Sequence, residues 1–292
     1  MKIKKVVILF KDTIVFLIKI VLSALNPLIG LIVGFLMAVS DLFIYFIQKL
    51  FTKPYDKFEE KLDENLWSIS KPTYTPKKDI EFRVDIKDGF LNMIIRKRYS
   101  PEIAKLPEPR KWEGYEITAK KKGFNFIQAK IMLDFNQSTS PDGNIYICGR
   151  GKEKRFHYLL GIDKRSKEIF FHCWDEKRGH YIEEGGRVHL KDYFEKRGFG
   201  WMTLALEWTY NGVYYLVFDE KEEEFNRYPF YPPPENYELR KEILKDSRDI
   251  FFYGIEEFCI RTDLKVDSPD FKSIVGKVKF IKVRKAPLSF LR

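Results

Sequence analysis

Twenty-one consecutive residues with a single charge constrain this chain more than any other feature. Segment 28–48 (LIGLIVGFLMAVSDLFIYFIQ) carries only Asp41, and at about 1.5 Å per residue a helix of that length covers the roughly 30 Å hydrocarbon layer of a bilayer. It is predicted to span a membrane. The segment belongs to a longer apolar leader: about 33 of the 46 residues from Val6 to Phe51 are apolar, and Ser23-Ala-Leu-Asn-Pro27 divides them with a turn signal. The first half, 6–25, contains Lys11, Asp12 and Lys19, and each charge at the centre of a bilayer costs about 2.5–3.5 kcal/mol. This half is either a first span or an interface-lying helix, with Lys11, Val15 and Lys19 on one stripe. A cleaved signal peptide fits less well, because charges interrupt the apolar run. A buried helical hairpin in a soluble core is the alternative. Residues 1–53 are therefore read as a helical membrane anchor whose partner is lipid, and whose Lys stripe also suits a homo-oligomer.

After the span, Thr52 and Pro54 suit a helix start, and Phe51, Tyr55, Phe58, Leu62 and Leu66 recur at helical spacing. Residues 54–79 are predicted to be an amphipathic collar helix followed by a Pro-containing linker. Lysines flank the strong span on both sides, so charge leaves its orientation open: two spans return the tail to the cytoplasm, one sends it outside.

Composition narrows the chemistry of the rest of the chain. Lys and Arg number 52 against 42 Asp and Glu, but seven Lys and only two Asp fall in the first 53 residues, so half of the excess sits in the anchor. The remainder is too evenly charged for the basic face that phosphate neutralisation needs, which excludes nucleic acid as a partner. Three scattered Cys form neither a disulfide framework nor a zinc pattern, and no metal or cofactor is implied.

From residue 80 the pattern changes to period two. Ile80, Phe82, Val84 and Ile86 alternate with Glu81, Arg83 and Asp85, as a half-buried strand requires, and Asp88-Gly89 turns the chain into Phe90–Ile95. Further strands are expected at 115–119, 124–135, 144–149, 156–162, 168–174, 201–210, 213–219, 250–262 and 274–284, with turns at Asp142-Gly143 and Asn211-Gly212. Leu190–Arg197 reads as a short helix or turn, and Glu235–Arg248 as a charged helix. About eleven strands and few helices imply an antiparallel sandwich over 80–292.

The order of these features resembles laminin-G-like and other concanavalin-A-like jelly rolls. Phe124–Phe135 looks like the first core strand, followed by Asn144–Gly149, Phe156–Ile162 and Glu168–Trp174. The hairpin Trp201–Asp219 is the most specific piece, and Val278–Arg284 resembles the closing strand. The fold expected from the resemblance is mainly β, an antiparallel jelly-roll sandwich behind an N-terminal α-helical membrane segment. Asp219-Glu220 departs from the Asp-Gly that the family often has there. The family includes glycan-binding lectins, protein-binding adhesion modules and β-glucan hydrolases.

Each subclass makes a chemical demand. The hydrolases place carboxylates at alternate positions of one strand, because a retaining reaction needs an acid and a nucleophile about 5–5.5 Å apart. No strand here reads E-x-D-x-E; Asp175-Glu176, Glu183-Glu184 and Glu256-Glu257 are adjacent residues that face opposite sides of a strand. Cys148, Cys173 and Cys259 lie inside apolar patterns and behave as buried hydrophobes, and neither a G-x-S-x-G elbow nor an H-E-x-x-H pair occurs. No catalytic residue is therefore assigned and the chain is expected not to be an enzyme. Alternation does supply a binding face: if their strands are neighbours, Tyr146, His157, His172 and Trp174 line a polar-aromatic surface suited to a sugar ring or a protein loop. The competing reading buries them with satisfied hydrogen bonds. The function expected is a membrane-anchored, non-catalytic module that binds glycan or protein, with its head outside the cytoplasm. The alternatives are an assembly protein of an envelope or virion and, behind it, a carbohydrate-active hydrolase.

Overall fold

The computed structural model describes residues 51–71, 73–107, 112–182, 200–222, 225–230 and 236–291. The predicted spans 28–48 and 6–25 and the predicted turn at 190–197 lie outside the described residues. Among the described residues no helix is long and apolar enough to cross a membrane.

Alternation becomes two stacked antiparallel sheets. The strands run in chain order as β1 (Lys53–Asp56), β2 (Trp67–Ser70), β3 (Ile80–Lys87), β4 (Phe90–Lys97), β5 (Glu113–Ala119), β6 (Phe124–Leu133), β7 (Asp142–Arg150) and β8 (Phe156–Asp163). They continue as β9 (Glu168–Asp175), β10 (His180–Ile182), β11 (Met202–Thr209), β12 (Gly212–Phe218), β13 (Phe225–Pro229), β14 (Glu257–Lys265) and β15 (Lys272–Lys285). One sheet has the order β13-β12-β11-β6-β15-β4-β3, with β1 also on β15; the other has the order β10-β9-β8-β7-β14-β5-β2. Neighbours such as β6 and β15, or β7 and β14, are distant in sequence, which is the crossing connectivity of a jelly roll. The protein is an antiparallel jelly-roll sandwich.

Between the sheets, Ile127, Ile131, Leu204, Leu206 and Trp208 meet Ile145, Ile147, Tyr158, Leu160 and Ile260, all essentially inaccessible. The Trp208 ring stands edge-on to Tyr158 at 5.8 Å. The predicted Asp88-Gly89 turn forms with both residues at positive φ, the geometry of the tight hairpin turn that matches strand twist. A short helix α1 (Pro101–Ala104) precedes β5, and α2 (Tyr237–Tyr253) packs at the end of the sandwich beside the β11–β12 turn. Leu239, Ile243 and Ile250 of α2 enter the core. Tyr158 donates to Asp246 at 2.8 Å and Ser247 donates to the Thr209 carbonyl at 2.9 Å, so polar groups register the helix on the strands it covers.

Three expectations change. The stretch read as a collar helix and linker, 54–79, instead contributes β1 and β2: Lys53 and Pro54 pair with β15, and Trp67–Ser70 pairs with β5. The helical spacing failed as a guide because the same aromatic residues fill the end of the sandwich, Tyr55 and Phe58 packing on Trp67 at 5.2 and 5.9 Å. The strand expected at 250–262 begins only at Glu257, since Ile250 anchors the last turn of α2. Asp142 and Gly143 open β7 and pair with Lys265 and Leu264 instead of forming a turn.

Candidate functional site

On the seven-stranded sheet the residues not used by the core point outward, and the register arranges them in rows. The first row runs through Glu257, Arg150, His157, Trp174 and Tyr181. The second contains Cys259, Cys148, Leu159 and His172. The third contains Glu116, Arg261, Tyr146, Gly161 and Phe170. Asp263 and Asn144 stand in the fourth.

Tyr146, His157, His172 and Trp174 all lie on this outer face, because β7, β8 and β9 are consecutive in the sheet. They divide into two groups. His172 and Trp174 each lie 5.0 Å from the Tyr181 ring, and His172 lies 5.0 Å from Phe170, which makes a continuous aromatic patch. Tyr181 is 49% exposed, so the patch is open to a ligand. His157, directly opposite Trp174, has its Nε2 2.9 Å from the Lys154 carbonyl; burial and then the Arg150 charge hold its imidazole below the usual histidine value, so it is neutral and the nitrogen donates.

Tyr146 belongs to a second, charged group. Its hydroxyl donates to Asp263 Oδ2 at 2.7 Å, and Arg261 Nε donates to Asp263 Oδ1 at 2.6 Å. Glu116 reaches the same guanidinium more loosely, with Oε2 3.8 Å from an Arg261 terminal nitrogen, while Thr118 donates to its Oε1 at 2.8 Å. Burial works against the Arg261 charge, but Asp263, Tyr146 and Glu116 around it raise its pKa above the ordinary arginine value. Burial and the Asp263 charge push the Tyr146 phenol well above its ordinary value, so it remains a proton donor.

Two strand glycines make room for this group. A β-carbon at Gly114 would run into the Asp263 carboxylate and the Arg261 guanidinium, which lie across it. At Gly161 it would meet the Ile145 carbonyl oxygen and the Tyr146 side chain. Glycine inside a strand marks such a close approach.

Glu116, Arg261 and Asp263 were not among the expected site residues. Glu116 fell inside a predicted strand, but the expected strand 250–262 stopped one residue before Asp263. The period-two row Cys259, Arg261, Asp263 was the available signal. That β5 lies beside β14 is a tertiary fact. Among the described residues no group of three or more His, Cys, Asp or Glu side chains is arranged to hold a metal ion.

No protein-family model and no curated protein matches the sequence. Solved structures do match the fold. One is the immunostimulatory antigen and pseudo β-1,3-glucanase of Mycobacterium tuberculosis, 12% identical, with a TM-score of 0.51 over 79% of this chain and 97% of that one. Others are LamA of Z. galactanivorans in complex with laminaritriose and laminaritetraose (12% identity, TM-score 0.49, 80% and 98% covered) and a Bacteroides ovatus mixed-linkage glucan GH16 protein in complex with its product (11%, 0.44, 80% and 99%). At these identities the likeness establishes the jelly-roll fold.

The expectation of a non-catalytic binding module, and with it the expectation of no enzyme, is corrected by these neighbours. The Mycobacterium tuberculosis protein is described as a pseudo β-1,3-glucanase and the Bacteroides ovatus protein as a GH16 protein, where a lectin or adhesion module had been expected. Carboxylates were sought along single strands, and such a search does not find Glu116 and Asp263, which stand on two neighbouring strands and share Arg261.

Proposed function

We propose that this protein is a carbohydrate-active hydrolase that works on a glycan laid across the outer face of the seven-stranded sheet. The observation that carries the reading is the pair Glu116 and Asp263, which share Arg261 beside an open aromatic patch. The pair is diagonal across β5 and β14, since Glu116 faces Arg261 and Asp263 lies two residues on. Such diagonal residues are spaced about 7–8 Å apart along the backbone, and the reaction we infer is the inverting one, in which a water sits between the two carboxyls. Glu116, the more loosely held, protonates the leaving oxygen. Asp263, oriented by Tyr146 and Arg261, activates the water. Trp174, His172 and Tyr181 stack on sugar rings further along the chain, with His157 beside them and Tyr146 at the reacting end.

The apolar composition of 28–48 supports a tether that holds this domain at a membrane, with the head on the outer side, where glycan polymers occur. Retention of full-length protein in the membrane fraction until detergent is added, together with protease sensitivity of the head in sealed cells, is expected. Release into plain buffer would remove the tether.

The hydrolase reading is tested with purified full-length protein on a panel of β-1,3- and mixed-linkage β-glucans, followed by reducing-end release and the anomeric form of the first product. Cleavage with inversion, lost in Glu116→Gln and in Asp263→Asn, is the expected result. Absence of cleavage across the panel, or cleavage unaffected by both substitutions, overturns it.

A further inference from the structure

The second row of the outer face contains a pair of groups that the proposed glycan chemistry does not use. Cys148 on β7 and Cys259 on β14 are direct cross-strand partners. Both are free thiols, each 1% exposed, in a small cluster with Tyr146, Leu159 and Phe170 that is separate from the core between the sheets. Residues directly opposite on antiparallel strands have α-carbons about 4.5–5.5 Å apart, inside the range a disulfide spans. Their β-carbons, about 4.5–5.5 Å apart, need to close by only about 1 Å to reach disulfide distance. No change of register is required. Cys173, the remaining thiol, points into the core between the sheets.

The surroundings separate the two thiols. The Cys259 thiol hydrogen-bonded to Cys148, together with the Arg150 guanidinium, holds Cys148 below the ordinary thiol value in spite of burial. The same hydrogen bond and burial push Cys259 well above it, and burial pushes Cys173 up as well. Arg150 is paired with Glu257 through a terminal nitrogen, but its Nε is buried and has no hydrogen-bond acceptor among the described residues. A thiolate at Cys148 places an anion beside a cation that is incompletely satisfied.

We propose that Cys148 and Cys259 are a reversible thiol–disulfide couple, oxidised by hydrogen peroxide, in which Cys148 attacks and Cys259 resolves. In the first step the Cys148 sulfur attacks the peroxide; the O–O bond breaks, a sulfenic acid forms, and the departing hydroxide takes a proton and leaves as water. In the second step the Cys259 sulfur attacks the sulfenyl sulfur. The S–S bond forms, the S–O bond breaks, and the Cys259 proton leaves with the hydroxide as a second water. The two sulfurs together lose two electrons and the peroxide gains them. A dithiol reverses the reaction by exchange.

Full-length protein in mild detergent is treated with hydrogen peroxide in its folded state, then unfolded, blocked with N-ethylmaleimide and digested. A Cys148–Cys259 linked peptide, loss of two of the three thiols and recovery of both with dithiothreitol are expected. The single variants assign the roles: Cys259→Ser leaves a sulfenic acid at Cys148 that dimedone captures, and Cys148→Ser leaves Cys259 about tenfold less labelled. Three intact thiols after oxidation, a linkage through Cys173 or between molecules, or equal dimedone capture in the two variants overturns the proposal. The wild-type peptide map decides it even if a variant fails to fold.

Discussion

The two sheets present outer faces built by the same alternation, yet they differ at one pair of carboxylates. On the eight-stranded sheet Glu207 lies between Arg284 at 3.2 Å and Arg227 at 3.1 Å, and Glu222 lies between Lys130 at 2.8 Å and Lys282 at 3.3 Å. Each of these carboxylates has two cations. The aliphatic and aromatic parts of the face fill in around them: Arg284 stacks over Phe126 at 5.0 Å and donates to Asn125 at 3.0 Å, and Ala205, Leu216 and Phe218 pack beside Phe126. On the seven-stranded sheet Glu257 is treated alike, bracketed by Arg150 and Lys154, but Glu116 and Asp263 divide a single Arg261. Two cations around each of the carboxylates Glu207 and Glu222 leave both groups with a net positive charge. Glu116 and Asp263 with their one shared cation keep a net negative charge beside the aromatic patch, the feature on which the proposed function rests.

The largest expected effect separates the faces by activity. Glu116→Gln and Asp263→Asn should each lower the glucan-cleavage rate by about 10²–10⁴-fold, whereas Glu207→Gln on the opposite face leaves the initial rate unchanged. A rate that falls with Glu207 and not with Glu116 would reverse the contrast between the faces.

Stability should show the converse. Glu207→Ala leaves Arg284 buried with Asn125 as its remaining hydrogen-bond partner, and removing one member of a buried ion pair costs about 3–5 kcal/mol, measurable as a lower denaturant midpoint. Gly161→Ala drives a β-carbon into the Ile145 carbonyl and Tyr146. An overpacking cost of about 1–3 kcal/mol is expected, accompanied by loss of activity, because Tyr146 can no longer reach Asp263.

Away from both faces, Lys97 offers a pH test. Burial lowers its pKa from 10.5 to about 8, opposed by the Glu113 and Asp267 charges. A lysine whose folded pKa is depressed binds fewer protons in the folded than in the unfolded state between those two values, so stability rises with pH through this window. The denaturant midpoint should climb from about pH 8 towards pH 10, and Lys97→Met should flatten the climb. Above that range the buried Tyr146 and Tyr158, whose pKa values are raised, contribute in the opposite direction. The smallest effect belongs to the aromatic patch: Trp174→Ala should raise KM several-fold, corresponding to about 0.5–1.5 kcal/mol of ring contact, while Phe218→Ala on the other face leaves KM as it was.

Much of the sandwich was legible in residues that alternate. Ile80–Ile86, the Asp88-Gly89 turn and the 201–219 hairpin read correctly because strand period and turn chemistry are local. Tyr55 and Phe58 misled because a helix spacing of three and four also occurs in chain that wraps an aromatic core end, where Trp67 and not a helix neighbour is the partner. Alternation put Tyr146, His157, His172 and Trp174 on one face on condition that their strands were neighbours, and which of them are open and which are tied down depended on tertiary contacts. Tyr146 is held by Asp263, more than a hundred residues away, and His157 by the Lys154 carbonyl.

By itself the sequence determined which residues turn inward and which outward along strands such as β3, β7 and β9, and that a segment with one charge and the length to span a bilayer precedes them, because both follow from backbone geometry and transfer energy over a few consecutive residues. Only the tertiary structure decided that β5 and β14 lie side by side. Strand pairing joins segments whose separation in the chain carries no local signal, and that pairing brings Glu116 and Asp263 to one arginine and Cys148 opposite Cys259.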